Sequence, residues 1–195
     1  MEPVKDIKIN GKVTANELMK KFSEAGGFTA KKLAVGTDIF ETMIKEKDCV
    51  KFFSFTADIC ATGTRGSVVE LVKNKLVDVI VTTCGTLDHD ISRVTEPYYH
   101  GDFRMDDAEL HKKGFHRLGN VIIKQEKHGP VIEDFVRPVF EKLFSSGIKS
   151  ISTKDICTEL GKAMDKRELK EESILYWAWK NKIPIFIPGI TDGAV

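Results

Sequence analysis

Asp88, His89 and Asp90 stand side by side, two carboxylates flanking an imidazole, just after the apolar β-branched run 77–83 and the small pair Cys84-Gly85. Three kinds of chemistry suit such a trio: metal binding, capture of a cation, or support of a helix start. Metal binding is the least compatible. Adjacent residues on a helix point about 100° apart, so three in a row cannot converge on one ion. His100, His111, His116 and His128 have no standard ligand spacing either, so no metal site is predicted. Carboxylates in a cleft favour a cationic ligand such as an amine. The plainer alternative places the acids in the first turn of a following helix, where negative charge is favourable. On the residues alone both stay open.

In open α/β sheets, ligands bind outside the carboxyl ends of the strands. Three apolar runs end in small residues plus an acid: TADICATG with Asp58, CGTLDHD with Asp88 and Asp90, and GITDG with Asp192. Together they predict a cleft floored by backbone amides and ringed by carboxylates. The turn Ala61-Thr-Gly-Thr-Arg-Gly66 precedes a helix, so its N–H groups could hold a phosphate. It lacks the Gly-x-Gly-x-x-Gly and Gly-Lys-Ser/Thr patterns, and a plain strand-to-helix turn accounts for it equally well. Arg65 reads as a support for that loop, and Trp177 and Trp179 as core or interface residues.

The elements that must position these residues follow from periodicity. Thr14 and Glu17 have capping-box spacing, with Leu18, Met19 and Phe22 on the apolar face of a first helix that ends at Gly26-Gly27. A second helix is predicted over 32–47, with Leu33, Phe40, Met43 and Ile44 on one side. Residues 50–55 read as a buried strand, 56–66 as a turn-rich loop, 67–75 as a short helix and 77–83 as the next strand. Strand, crossover helix, strand is a βαβ unit with parallel pairing. Residues 98–127 read as irregular with one short helix near Ala108. An amphipathic helix over 130–144 is predicted to bury Val131, Phe135, Val139 and Phe140. Ser152 caps a helix carrying Ile156, Leu160 and Met164, and a helix with Tyr176, Trp177 and Trp179 precedes a last strand over 183–187. The expected fold class is α/β: a Rossmann-like parallel sheet with helices on both faces and an N-terminal helical extension. Residues 1–195 are expected to form one domain, with 1–48 as the extension and 49–195 as the ligand-binding portion.

Composition narrows the partners. The chain has 195 residues, 42% apolar and 30% charged, with a net charge of +1, so no global field attracts nucleic acid or an anionic membrane. Its apolar runs are too short to cross a bilayer, and MEPVKDIKIN lacks the apolar core of a signal peptide. Four cysteines without a Cys-x-x-Cys pair suit a reducing compartment, so a cytoplasmic protein is expected.

SFTADICATGTRGSVVELVKNKLVDVIVTTCGTLDHDISR resembles the N-terminal nucleotide- and amine-binding region of deoxyhypusine synthase, and YYHGDFRMDDAELHKKGFHRLGN and SILYWAWKNKIPIFIPGITDG match the same family. The resemblance covers nearly the whole chain. It implies an NAD-dependent transferase that oxidises spermidine, carries the aminobutyl group as an imine on an enzyme lysine, and passes it to one lysine of a translation factor. It also implies a homotetramer with active sites across dimer interfaces. By matching motif, Ala57, Asp58, Ile59, Cys60, Ala61, Thr83, Cys84, Gly85 and Asp192 fall on NAD-contacting positions, and Asp88 and His89 on polyamine-contacting ones. His89 stands where many members carry a second carboxylate. A neutral imidazole can take a proton from an amine undergoing oxidation, so His89 is the candidate catalytic proton acceptor.

The larger departure is at the other end. The family continues past its Thr-Asp-Gly segment through a second acidic loop, a Gly-rich NAD loop, a substrate-contacting histidine and a tryptophan-glycine-lysine segment that holds the nucleophile. These have no counterpart here, and Lys180 and Lys182 match the family at a non-catalytic place. The chain is therefore expected to be the N-terminal part of such an enzyme, inactive alone and dependent on a C-terminal complement. Two alternatives stand beside this: a non-catalytic subunit that binds or regulates a full-length homologue, and a related NAD-dependent polyamine aminobutyltransferase acting on a small amine.

Overall fold

The computed structural model describes residues 1–195, which divide into two compact units, Met1–Cys49 and Val50–Val195. In the first unit, α1 (Ala15–Ala25) starts at the capping box. The Thr14 hydroxyl accepts from the Glu17 amide at 3.2 Å and the Glu17 carboxylate accepts from the Thr14 amide at 2.8 Å. Gly26 ends the helix in the left-handed region at φ 73°, which suits a residue without Cβ. α2 (Phe28–Lys45) begins four residues before the predicted start, because the chain reverses at Gly26-Gly27 and no side-chain cap marks the entry. It buries only Ala34, and the predicted apolar side with Leu33 and Phe40 stays partly exposed.

The second unit is built on β1 (Phe52–Phe55), β2 (Val79–Thr82) and a late strand that pairs with β2. β1 and β2 run parallel with Phe52 opposite Val79 and Phe55 opposite Thr82, so the predicted βαβ unit forms around α3 (Thr64–Lys73). The prediction of a buried first strand needs correction: β1 is an edge, Phe52 is 68% exposed, and only Phe53 and Phe55 pack on the core. The expected loop over 56–66 is partly helical, with a 3₁₀ turn at Ala57–Ala61 and α3 starting at Thr64 rather than Ser67. The residues after β2 are also helical, in α4 (Gly85–Arg93).

The stretch read as irregular contains a second sheet. β3 (Tyr99–His100), β4 (Phe115–Leu118) and β5 (Val121–Lys124) pair antiparallel in the order β3-β5-β4, with α5 (Asp107–Lys112) between β3 and β4. Its strands are two to four residues long, and His116 and Arg117 hide the apolar alternation. The two-residue turn Gly119-Asn120, with Gly119 at φ 60°, is the hairpin signal that the sequence did carry.

α6 (Gly129–Ser145) buries Ile132, Phe135 and Val136, a face rotated slightly from the predicted one, with Val139 and Phe140 half-buried at its border. α7 (Thr153–Met164) is capped by Ser152 and buries Ile156, Leu160 and Met164 as predicted. α8 (Ile174–Asn181) leads into β6 (Ile185–Phe186), which pairs parallel to β2 with Ile80 opposite Ile185. Gly161 lets α7 and α8 approach closely, since a Cβ there would stand 2.4 Å from the Leu175 carbonyl oxygen. Trp177 is a core residue and Trp179 packs beside it. The result is a parallel three-stranded sheet flanked by helices, as the α/β class requires. No helix is long and apolar enough to cross a membrane.

Candidate functional site

The carboxyl ends of β1, β2 and β6 meet. Thr83 at the end of β2 accepts the Ala57 amide on its hydroxyl at 2.9 Å, which ties the first end to the second. Thr82 secures the same junction, donating to the Phe55 carbonyl at 2.8 Å and accepting from the Thr86 hydroxyl at 2.7 Å. Gly85 is needed here because a Cβ would stand 3.0 Å from that of Ala57. The third end closes on the second through Gly193, where a Cβ would lie 2.9 Å from Cys84 Cβ and 3.0 Å from Asp88 Oδ2. The Ala194 amide donates to both Asp88 oxygens at 3.1 and 3.2 Å.

Among the residues the sequence singled out, Ala57, Thr83, Cys84, Gly85 and Asp88 thus share direct contacts at the junction. Ala57, Cys60, Ala61 and Cys84 are buried, Ile59 is half-buried, and Asp58, Thr83 and Asp192 are exposed. Burial, and secondly the Asp90 charge, push the Cys60 thiol up to about 12, so it is no nucleophile at neutral pH. The turn 61–66 is a plain strand-to-helix turn. Its Arg65 amide donates to the Thr62 carbonyl at 3.3 Å and its Gly66 amide to the Gly63 carbonyl at 3.1 Å, so they do not converge on an outside anion.

The adjacent carboxylates have separate fates. Asp90 was expected on the cleft rim, but it is fully buried on the other flank of α4. It accepts from Arg65 at 3.0 Å, the Ser173 hydroxyl at 2.7 Å, and the Ile174 and Leu175 amides at 3.0 and 2.9 Å. Asp90 therefore satisfies the start of α8 and pairs with Arg65, the supporting role foreseen for that arginine. Asp88 remains at the strand-end junction. It lies in the first turn of α4, as the plainer alternative expected, but it receives no α4 amide and the helix has no side-chain cap, so its hydrogen bonds come from the third strand end instead. Burial raises its pKa against the lowering effects of the Ala194 amide, of His128 and of the Val195 amide.

His89 is buried beside Asp88, and its ring is not alone. Its Nδ1 lies 3.0 Å from the Tyr98 hydroxyl, which in turn lies 3.2 Å from Nδ1 of His128. The two imidazoles are near-parallel, 28° apart with centroids at 5.8 Å, and His116 meets His128 edge-on at 5.7 Å. Burial first, then His128 and Arg93, push His89 down to about 4, with Asp58 opposing. His128 is lowered by burial and held up by Asp88. Burial thus disfavours the charged form of both rings, most strongly at His89. The sequence reading weighed His128 only as a metal ligand and did not consider Tyr98; the aromatic pair in Pro97-Tyr-Tyr-His100 was the available signal. No group of three or more His, Cys, Asp or Glu side chains is arranged to hold a metal ion. A cavity of about 480 Å³ between α6 and α7, lined by Phe135, Lys142, Lys162 and Arg167, shares no residue with this junction.

Comparison with known proteins adds a family context. A family model described as deoxyhypusine synthase matches residues 17–195. A "Probable deoxyhypusine synthase" of Picrophilus torridus is 50% identical over 194 residues, covering 100% of this chain and 60% of the relative. One of the same description from Thermoplasma volcanium is 48% identical over 193 residues, covering 99% and 60%. A crystal structure from Entamoeba histolytica, assigned to deoxyhypusine synthase, matches with a TM-score of 0.66 over 98% of this chain and 64% of that one. At 20% identity that likeness speaks for the fold alone. The chain spans about 60% of the length of the curated relatives it matches.

Proposed function

Because the chain belongs to the deoxyhypusine synthase family, we propose that its strand-end junction is the cofactor- and polyamine-facing part of a cytoplasmic enzyme that transfers the aminobutyl group of spermidine to a lysine of a translation factor. The observation that carries this reading is the convergence of three strand ends beside one partly desolvated acid and one neutral imidazole. Asp88 supplies a negative charge for an ammonium group. His89 takes a proton from the amine at Nε2, the nitrogen that Tyr98 leaves free.

The residues fit a dinucleotide in kind. Ala57 and Ala61 keep the floor low, while the exposed carboxylates of Asp58 and Asp192 and the exposed Thr83 suit ribose hydroxyls and an amide. NAD bound there would supply the hydride acceptor for amine oxidation. Gly85 serves the packing of the junction, so its place among the cofactor contacts rests on the motif alone.

None of these 195 residues is assigned the role of lysine nucleophile. Lys180 is held by the Tyr176 hydroxyl at 2.9 Å, and Lys182 precedes β6, at the opposite end of the sheet from the junction. The nucleophile is proposed to come from a C-terminal complement or a full-length homologue, in a homo- or hetero-oligomer. The test mixes the chain with NAD, labelled spermidine and a lysine-containing protein acceptor, alone and with the complement, and repeats it with a small diamine as acceptor. Transfer is expected only with the complement and the protein acceptor. Transfer by the chain alone overturns the need for a complement. Transfer to the diamine in preference to the protein changes the acceptor class, and failure to bind NAD and spermidine in either setting overturns the site.

A further inference from the structure

His89, Tyr98 and His128 come from three separate segments: α4, the residues before β3, and the start of α6. A tyrosine hydroxyl has one hydrogen, and here it stands between two Nδ1 atoms at 3.0 and 3.2 Å. The Ser92 side chain is a third partner of this hydroxyl, but its one hydrogen can go to at most one of the two imidazoles, so at most one Nδ1 can be the acceptor and the other must carry a hydrogen to bond it. The two imidazoles therefore cannot choose tautomers independently. We propose that Tyr98 and His128 are positioning residues for His89: the Tyr98 hydroxyl holds a hydrogen on His89 Nδ1, keeps Nε2 free as the acceptor, and connects it to His128 as the terminal proton site. This rests on the reading of His89 as the acceptor of a polyamine proton.

The proton count balances along the path. His89 gains a proton at Nε2 and gives its Nδ1 proton to the Tyr98 oxygen, while the Tyr98 hydroxyl proton passes to His128 Nδ1. His89 ends neutral, Tyr98 ends as a hydroxyl, and the positive charge stands on His128. The surroundings favour that direction. His128 is less buried than His89 and faces the Asp88 carboxylate, whereas His89 has Arg93 nearby and only Asp58 to favour a charge on it. The groups facing the relay are Asp88, Ser92 and Arg93 of α4, Arg65 of α3, Asp58 of the 3₁₀ turn and His116 of β4. Arg93 lies over the Tyr98 ring at 5.5 Å and is anchored by the Cys60 and Thr62 carbonyls, so it holds the ring in place rather than the proton. Two imidazolium rings at 5.8 Å would repel, so the pair takes up its protons stepwise and titrates as a unit.

Long-range proton–nitrogen NMR of the ¹⁵N-histidine-labelled chain decides this, because it reads which ring nitrogen carries the hydrogen. The expected result is the Nδ1–H form for His89, the Nε2–H form for His128, and a first protonation that appears on His128. In Tyr98→Phe both rings should lose their fixed tautomers, while the repulsion between the two charged rings remains. The Nε2–H form on His89 in the unsubstituted chain, or tautomers unmoved by Tyr98→Phe, overturns the proposal. The assignment in the unsubstituted chain needs no variant, so a misfolded Tyr98→Phe leaves the test intact. Spermidine added to the labelled chain together with the complement separates the two readings. A shift at His89 Nε2 supports both, and no shift with the tautomer pair intact removes the polyamine role and leaves the pairing of Tyr98 with His128 standing.

Discussion

Asp88 and Asp90 leave α4 on opposite flanks of the buried stripe made by Leu87 and Ile91, and the two flanks have been put to different uses. On one, Asp90 has an arginine and three further donors, so the carboxylate is fully matched and α3, α4 and α8 are tied together. On the other, Asp88 has no side-chain donor, only the backbone amides of Ala194 and Val195, and a raised pKa, and its neighbour His89 is held neutral. One acid is saturated and serves the fold. The other is buried with binding capacity to spare, which is costly for stability and useful for a cationic ligand. Local unsaturation is a better guide to the site than residue type, since both residues are aspartates within one turn of helix.

The contrast breaks most clearly at Asp90. Asp90→Ala leaves the buried Arg65 and the α8 amides without their acceptor, and the expected loss is about 3–5 kcal/mol in urea unfolding. A loss below about 1 kcal/mol would erase the distinction between the flanks. A smaller effect follows from pH. His89 moves from 6.5 unfolded to about 4 folded, so the unfolded chain binds more protons between those values. Its stabilising contribution is present above the unfolded value and is lost as pH falls toward 4, by about 3 kcal/mol in all. Asp88, raised by burial, acts in the opposite sense just above the ordinary carboxylate range, while His128 and His116 act with His89. The difference between unfolding curves of the chain and of His89→Gln across pH 4 to 6.5 isolates the His89 share; parallel curves would contradict the burial argument.

Asp88→Asn probes the unsaturated flank. Spermidine affinity in the reconstituted enzyme should fall by about 1.5–3 kcal/mol, one to two decades, with NAD binding little changed. The asparagine oxygen can still accept the Ala194 amide, so unfolding stability should change by less than about 1 kcal/mol. Calorimetric titration beside thermal unfolding checks both, and a lowered Tm with unchanged spermidine affinity would make Asp88 a structural residue. The mildest change is Ser173→Ala, which removes the α8 cap and one Asp90 donor and should cost about 1 kcal/mol in the same urea assay without touching spermidine. An effect on spermidine would mean that the flanks communicate.

Short-range chemistry was legible in advance. The capping box at Thr14 and the N-cap at Ser152 pair residues three apart, and each cap is complete before any tertiary contact exists. The helices over 153–164 and 174–181 and the parallel pairing of β1 with β2 followed from periodicity for the same reason. The small antiparallel sheet did not, because strands of two to four residues carry too little alternation to stand out from a polar background. The edge position of β1 was also invisible, since an apolar strand reads alike wherever it lies in a sheet.

By itself, then, the sequence determined the alternation of strands and helices, the helix caps and the presence of acids and an imidazole after the second strand. Which acid faces the junction was decided by tertiary structure, because packing of Leu87 and Ile91 into the core sets the rotation of α4 about its axis. At about 100° per residue, that rotation sends Asp90 to Ser173, 83 positions away, and Asp88 to Ala194, 106 positions away. His89 points away from the core stripe and lies against Tyr98 and His128, 30 positions apart in the chain. No local pattern encodes those separations; they exist only once the core has formed.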